Sequence, residues 1–469
     1  MDISANTRLP PPAQRLLDLA AAVDFLRRNR KLVHVRSEVD PVLELAGIAR
    51  RFEGRECVLF ERVRGSPYPV LAGVLWNRDT VGGLFGVSAH EVPFVISRAL
   101  AAWQRDKQAM PCRMLESGPA NEVIESEVDL SRLPIPHHAL KDGGRYLDSS
   151  VVVARNPETG VCNVSIHRMM VVGKDRLTFV IDPERHIEKY AEIAERRGEP
   201  LPLTINNGIG LAPWIVSALP RTGDGKHTVA HHLLGQPIDW IMAQSVDVPA
   251  YSEAQFVIEA ELIPGEREDD GPFAEVTGYY AGRARLSVLR VKAITRRETP
   301  IYQTILSGHE VWNAVGFTAE AAIFNAVRAR IPEVTAVFLP PGGCGFYEAI
   351  VTARNTRPGI AKDVIREAFR AFHSLQRVVV VDTDVDIHDP VDVDWAISTR
   401  FNPDVDIVLL PGETGHIRNP MVRPAADGKG GTVTKFGMDA MVPFGAEKGL
   451  FERVSFQDVD LAKHDIDYP

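Results

Sequence analysis

The stretch NVSIHRMM, residues 163–170, sits among runs that read as β-strand, with SSVVVARN ahead of it and MMVVG at its end. It is too polar for an ordinary core strand and too apolar for an ordinary loop. Side chains of a strand alternate between faces, so Asn163, Ser165 and His167 share one face and Val164, Ile166 and Arg168 the other. Burying unpaired donors and acceptors costs free energy, so the polar face needs a partner. The middle of the chain is therefore expected to be β-rich and to carry a site on this strand.

The neighbouring sequence supports that reading. Between about residues 128 and 305 lie SSVVVAR, LTFVI, AQFVIEAELI, TGYYAG, SVLRVKAIT and PIYQTIL, short runs divided by turn residues. They predict a barrel or sandwich, with helices inserted at 186–196 and 214–219. The flanks are α/β. An amphipathic helix (LLDLAAAVDFLRRNR), a strand (LVHV), a helix (LELAGIARRF) and a strand (CVLFERV) precede the β-rich part. Helix TAEAAIFNAVRARI, strand VTAVFLP, helix IAKDVIREAFRAF and strands RVVVVD and DIVLLPG follow it. From Glu413 onward the chain is Gly-rich and reads as an irregular tail packed over the rest.

Composition limits the function. The 469 residues are 45% apolar and 25% charged, ordinary for a globular protein of two or three domains. A net charge of −9 and the lack of a basic run with interleaved aromatics argue against a nucleic-acid or acidic-membrane surface. The longest apolar runs are strand-sized, far short of the roughly 20 residues that span a bilayer. Residues 1–12 lack the layout of a secretory signal, so a cytoplasmic location is expected. Cys57, Cys112, Cys162 and Cys344 are scattered without a CxxC pair, which suggests neither a thiolate zinc site nor a disulfide framework.

Two glycine-rich segments read as turns. NNGIGLAP, residues 206–213, has Pro213 where a dinucleotide-binding loop needs its last small residue, and is expected to turn a strand into a helix. LPPGGCG, residues 339–345, is a Pro-Gly turn. The chemistry gathers elsewhere: at the polar strand, at DPERHI (182–187) with His186 in the first turn of a helix, and at DGPFAEVTGYY (270–280) with Asp270 and Glu275. Asn, His and a carboxylate suit Mg²⁺ or Mn²⁺ bridging to a phosphate. Arg168 with Asp270 and Glu275 forms a cation–carboxylate triad.

These segments, together with DTDVDIHDPVDVDWAISTRFNP (382–403), EVDP (38–41) and KFGMDA (435–440), resemble the UbiD-type decarboxylases, nearly end to end. The resemblance implies an α/β and β-barrel multidomain protein: an N-terminal α/β region (1–115), a split β-barrel that binds prenylated FMN (116–308), a linker helix (309–331) and a C-terminal α/β dimerisation domain with its tail (332–469). It places Asn163, Val164, Ser165, Ile166, His167 and Arg168, with Arg185, His186 and Lys226, against the cofactor. It makes Asn163 and His186 ligands of a divalent metal, Mn²⁺ or Mg²⁺, beside which a K⁺ ion can sit. It makes Arg168, Asp270 and Glu275 the catalytic network, and implies a flavin prenyltransferase as cofactor supplier and a homodimer or larger homo-oligomer. The chemistry is coherent, because loss of CO₂ from an sp² carbon leaves electrons in the σ plane that no side chain can delocalise, so a cofactor must accept them. Arg168 would then hold the substrate carboxylate and Glu275 deliver the proton.

Two departures stand out. The first acid of the network is Asp270, one methylene shorter than the commoner Glu. By the family's spacing the third metal-ligating Glu should fall near Lys226, in TGDGKHTVAHHLLG, where no Glu stands; Asp224 or His227 is then a substitute ligand, or Lys226 a direct partner of the phosphate, and a metal site that is altered rather than absent is expected. The segment ILSGHEVWNAVGF (305–317) is expected to line the substrate, with His309, Trp312 and Asn313 suiting an aromatic or heteroaromatic acid. An acyclic α,β-unsaturated acid would instead call for an apolar groove. A degenerate flavin-binding subunit is the remaining alternative, and it would not need the full triad.

Overall fold

Asp18 divides the N-terminal helical run in two. The computed structural model describes residues 11–106, 112–182, 185–220, 225–424 and 430–466. In it, Pro12–Leu17 and Leu19–Arg28 are separate helices, where the sequence pattern suggested one. Asp18 has extended backbone and its carboxylate accepts from Ala20 N at 3.1 Å, so it caps the second helix instead of continuing the first. The N-terminal sheet orders Leu32–Val39, Cys57–Val63, Val70–Ala72 and Tyr302–Gln303, the last arriving from far along the chain.

The central sheet is antiparallel, in the order Arg176–Phe179, Ala284–Arg296, Phe256–Asp270, Leu201–Asn207, Val151–Arg155 and Cys162–Ile166, with Val123–Ile124 on Ala284–Arg296. Register shifts after Glu259 and after Leu262 bend its longest ladder, so the sheet curls into a half-barrel with an open edge. Both faces are covered. Val151 and Val153 pack into one apolar cluster with the N-terminal helices, whereas Val152 and Ala154 pack into another inside the curl. That double burial explains why the run VVVA does not alternate with polar residues. NNGIGLAP is a strand-to-helix turn, as expected, between Leu201–Asn207 and helix Leu211–Ser217.

The C-terminal sheet corrects the reading of the tail. Its order is Val334–Phe338, Glu348–Ala353, Arg377–Val381, Gly431–Asp439 and Ile407–Thr414, with Arg423–Pro424 paired to Gly431–Asp439. The segment containing KFGMDA is thus an interior strand. Its alternating polar residues concealed it: Lys435 is buried, donating from Nζ to His373 O at 2.7 Å. The 382–403 motif is architectural too, since buried Arg400 bridges Asp382 at 3.2 Å and Asp384 at 2.7 Å. Among the described residues no helix is long and apolar enough to cross a membrane.

Helix Ile360–Ala371 lies so close to this sheet that a Cβ on Gly437 would stand 2.3 Å from Ile365 Cγ2. Gly437→Ala is expected to cost about 1–3 kcal/mol through overpacking, read as a lowered urea midpoint with an unchanged slope.

Candidate active site

The strand Cys162–Ile166 ends the central sheet, and its free edge faces a cavity of about 1930 Å³ between the half-barrel, helix His309–Arg328 and the C-terminal sheet. Because the wall is a sheet edge, Asn163, Val164, Ser165 and Ile166 all line the cavity, whichever face they occupy. Strand pairing stops at Ile166, and Met169–Met170 pairs instead with Tyr146–Leu147. His167 and Arg168 occupy the crossing between the two sheets, so Asn163 and Arg168 reach one cavity despite their odd separation. His167 Nδ1 donates to Val180 O at 2.9 Å and its Nε2 accepts from Ser165 Oγ at 2.8 Å. Burial lowers its pKa to about 4, so the ring is neutral at pH 7.

Arg168 meets both predicted acids. Its Nη1 donates to Glu275 Oε1, its Nη2 lies 3.5 Å from Asp270 Oδ1, and its guanidinium stands 4.5 Å from the Phe273 ring centre. Asp270 Oδ2 accepts from Thr178 Oγ1 at 2.6 Å. Arg168 Nε and Asp270 Oδ1 are buried without a hydrogen-bond partner, a gap consistent with the short Asp side chain. The Glu275 loop is tied down from three sides: Ala274 N donates to Asp142 Oδ1 at 2.8 Å, Ser307 Oγ to Ala274 O at 2.6 Å, and Trp312 Nε1 to Val276 O at 2.8 Å. Gly143 permits this approach, because a Cβ there would lie 2.3 Å from Gly271 O.

A second arginine on Glu275 comes from the C-terminal domain and was not anticipated. Arg418 Nε donates to Glu275 Oε2 at 2.9 Å, while Nη1 and Nη2 donate to Asp182 at 3.1 and 2.8 Å. Arg418 holds the Asp182 carboxyl down at about 2 against the opposing effect of burial. Asp182 opens the DPERHI segment, but nothing in the sequence pairs it with a residue 236 positions away. His416 and Phe346 also line the cavity.

Arg185 precedes helix His186–Arg197 as its N-cap, with no side-chain cap, and the first turn of this helix lines the cavity. Lys226 lines it too, buried, with Nζ donating to Ser217 O at 2.8 Å and Leu219 O at 3.3 Å. Burial, reinforced by Arg185, lowers its pKa to about 7. His227 turns away, packed on Trp240 at 4.7 Å between ring centres. Asp224 lies outside the described residues.

The size of the cavity and its basic corner, where Lys226 and Arg185 meet a helix start that has no side-chain cap from Arg185, fit a flavin phosphate and an attached ring system. They do not fit a divalent ion. Asn163 and His186 provide an amide and an imidazole beside the amine of Lys226, and among the described residues no three His, Cys, Asp or Glu side chains converge.

The substrate-side helix departs from expectation. His309 Nδ1 lies 3.0 Å from Glu53, Trp312 clamps the Glu275 loop, and Asn313 Nδ2 donates to Leu75 O at 2.8 Å. None of the three lines the cavity; Val311, Ala314 and Val315 do. Near the Glu275 loop the cavity-facing side chains of the helix are therefore apolar, with Asn325 joining the lining farther along the helix.

Comparison with known proteins agrees with this architecture. Profiles of the N-terminal, Rift-related and C-terminal domains of 3-octaprenyl-4-hydroxybenzoate carboxy-lyase match residues 23–100, 113–310 and 313–440. The chain belongs to this family, the UbiD carboxy-lyases. Anhydromevalonate phosphate decarboxylase of Methanosarcina mazei is 37% identical over 91% of this chain and 96% of its own length. Gallate decarboxylase of Lactiplantibacillus plantarum is 30% identical over 95% and 98%. The UbiD-class enzyme HmfF from Pelotomaculum thermopropionicum, solved in complex with FMN, superposes with a TM-score of 0.89 at 34% identity, covering 95% of this chain and 100% of that one. An evolved dimeric form of HmfF in complex with prFMN gives 0.85 at 34% identity, covering 95% and 99%.

Buried neutral histidines make stability depend on pH. Burial lowers His167 to about 4 and His227 to about 3, below the unfolded value near 6.5. Between those values the unfolded chain binds more protons, so stability falls as pH drops from about 6.5 toward 4. The urea midpoint is expected to be lower at pH 5 than at pH 7.5, and His227→Phe, which keeps the packing on Trp240, is expected to flatten that dependence.

Proposed function

We propose that the chain catalyses reversible, non-oxidative decarboxylation of an acid whose carboxyl group sits on an sp² carbon, using prenylated FMN. The observation that carries this reading is Glu275 suspended in a cavity between Arg168 and Arg418, with Asp270 buried behind Arg168. Bound prenylated FMN supplies the electron sink that carbon needs. Arg168 anchors the substrate carboxylate through its planar fork, which Asp270 steadies from behind. Substrate that takes Arg168 displaces Glu275 from it, and Arg418 still holds the other Glu275 oxygen in place. Freed from Arg168, Glu275 takes a proton from water in the cavity; after CO₂ leaves, that O–H bond breaks, a C–H bond forms at the vacated carbon, and the resulting carboxylate returns to its two arginines.

Two substrate readings remain. The ring acid first expected has the gallate decarboxylase relative in its favour. The acyclic α,β-unsaturated acid is favoured by Val311, Ala314 and Val315, the only helix side chains among those near the Glu275 loop that reach the cavity in place of His309, Trp312 and Asn313, and by the anhydromevalonate phosphate decarboxylase relative. The retained triad argues against a non-catalytic subunit. This reading includes a cytoplasmic homodimer charged by a flavin prenyltransferase; the dimeric form of HmfF in complex with prFMN supports the dimer and the cofactor.

The test is co-expression with a flavin prenyltransferase, followed by cofactor mass and a panel of hydroxybenzoic, heteroaromatic and acrylic-type acids. Decarboxylation of none of them by flavin-loaded protein would count against the proposal, and the acid turned over decides between the two readings. Glu275→Gln is expected to keep the flavin and lose turnover by about 10²–10⁴-fold; near-normal turnover would reassign the proton. Arg168→Lys is expected to fail as well, because a point charge cannot replace the fork. Arg418→Gln is expected to lower kcat by roughly tenfold with flavin retained, through loss of one charge-assisted hydrogen bond to Glu275.

A further inference from the structure

We propose that Lys226 is a built-in cation that anchors the flavin phosphate directly, in place of a bound metal ion. This rests on the flavin-site reading above and specifies how that site is charged.

The surroundings of Nζ carry the argument. Ser217 ends helix Leu211–Ser217 and Leu219 lies two residues beyond it, so both carbonyls belong to the electronegative end of that helix. Carbonyl oxygens at such an end are hard ligands of the kind a K⁺ or Mg²⁺ ion takes. Here they already accept from Lys226 Nζ, at 2.8 and 3.3 Å. An ammonium has three N–H donors, and two are used. The third is left for the cavity that Lys226 lines. No described carboxylate pairs with Nζ, and a buried ammonium held only by carbonyls is stabilised further by an anion.

A second cation, Arg185, lies close enough to act on Lys226. Helix His186–Arg197 presents an uncapped first turn, preceded by Arg185, so a phosphate there meets backbone donors and two side-chain cations. A divalent ion in the same place would stand beside Lys226 and Arg185, where among the described residues no three His, Cys, Asp or Glu side chains converge, and like-charge repulsion would oppose it.

The experiment titrates the flavin-free chain with FMN, following flavin fluorescence, with riboflavin as the analogue that lacks the phosphate. FMN affinity is expected to be unchanged by excess EDTA and unimproved by added Mn²⁺, Mg²⁺ or K⁺, with riboflavin at least about tenfold weaker. Lys226→Gln is expected to weaken FMN by roughly 10–100-fold and leave riboflavin unchanged, the loss of one charge-assisted bond to phosphate. Lys226→Arg is expected to keep metal-independent binding, and Lys226→Glu to make FMN binding depend on Mn²⁺. Thermal melts confirm that each variant is folded, and an unfolded Lys226→Gln leaves the wild-type chelator and riboflavin arms to decide. FMN binding that EDTA abolishes and Mn²⁺ restores in the wild-type chain overturns the proposal and leaves the flavin site standing. Equal affinity for FMN and riboflavin also overturns it. Failure of the wild-type chain to bind FMN under any condition overturns the flavin-site reading as well.

Discussion

Glu275 shares its two carboxylate oxygens between two guanidinium groups that come from different parts of the chain. Arg168 projects from the crossing between the half-barrel edge and the Met169–Met170 strand, whereas Arg418 belongs to the turn that follows an outer strand of the C-terminal sheet. An anion between two cations in a partly buried site is held far more strongly than either pair would be in water. The rest of the site is organised around that grip. Asp270 balances Arg168 from behind, Asp182 balances Arg418, and Asp142, Ser307 and Trp312 fix the backbone that carries Glu275.

This arrangement brings a side chain of the C-terminal domain into direct contact with Glu275. The Arg418 side chain makes three hydrogen bonds, all to carboxylates of the central region, so its turn can move away only by breaking them together. Asp182 balances most of the Arg418 charge, so Arg418 stays in place beside Glu275 independently of Arg168.

The open edge of the central sheet is the second constraint. A closed barrel would pair the backbone of Cys162–Ile166 on both sides and leave no wall for a ligand. With both sheet faces buried in apolar clusters, the edge is where polar side chains and a large ligand can meet without breaking a core. The polar character of residues 163–168 follows from that position.

Much of this was legible in the sequence because it depends on local pattern. The β-rich middle, the α/β flanks, the turn at residues 206–213 and the triad of Arg168, Asp270 and Glu275 are all carried by short segments whose periodicity or composition is specific. What failed was whatever depends on who lies opposite. Asp18 broke a helix that its pattern would continue, KFGMDA proved to be an interior strand, and His309, Trp312 and Asn313 turned from the cavity to hold backbone groups elsewhere. The sequence by itself determined the element types and which chemical groups are present. Only the tertiary structure decided that Arg418 and Asp182 complete the site, and that Lys226 sits on two helix-end carbonyls beside it. Side-chain periodicity reports the face of an element, whereas contacts across more than a hundred residues depend on how the sheets and helices are stacked, which no local pattern encodes.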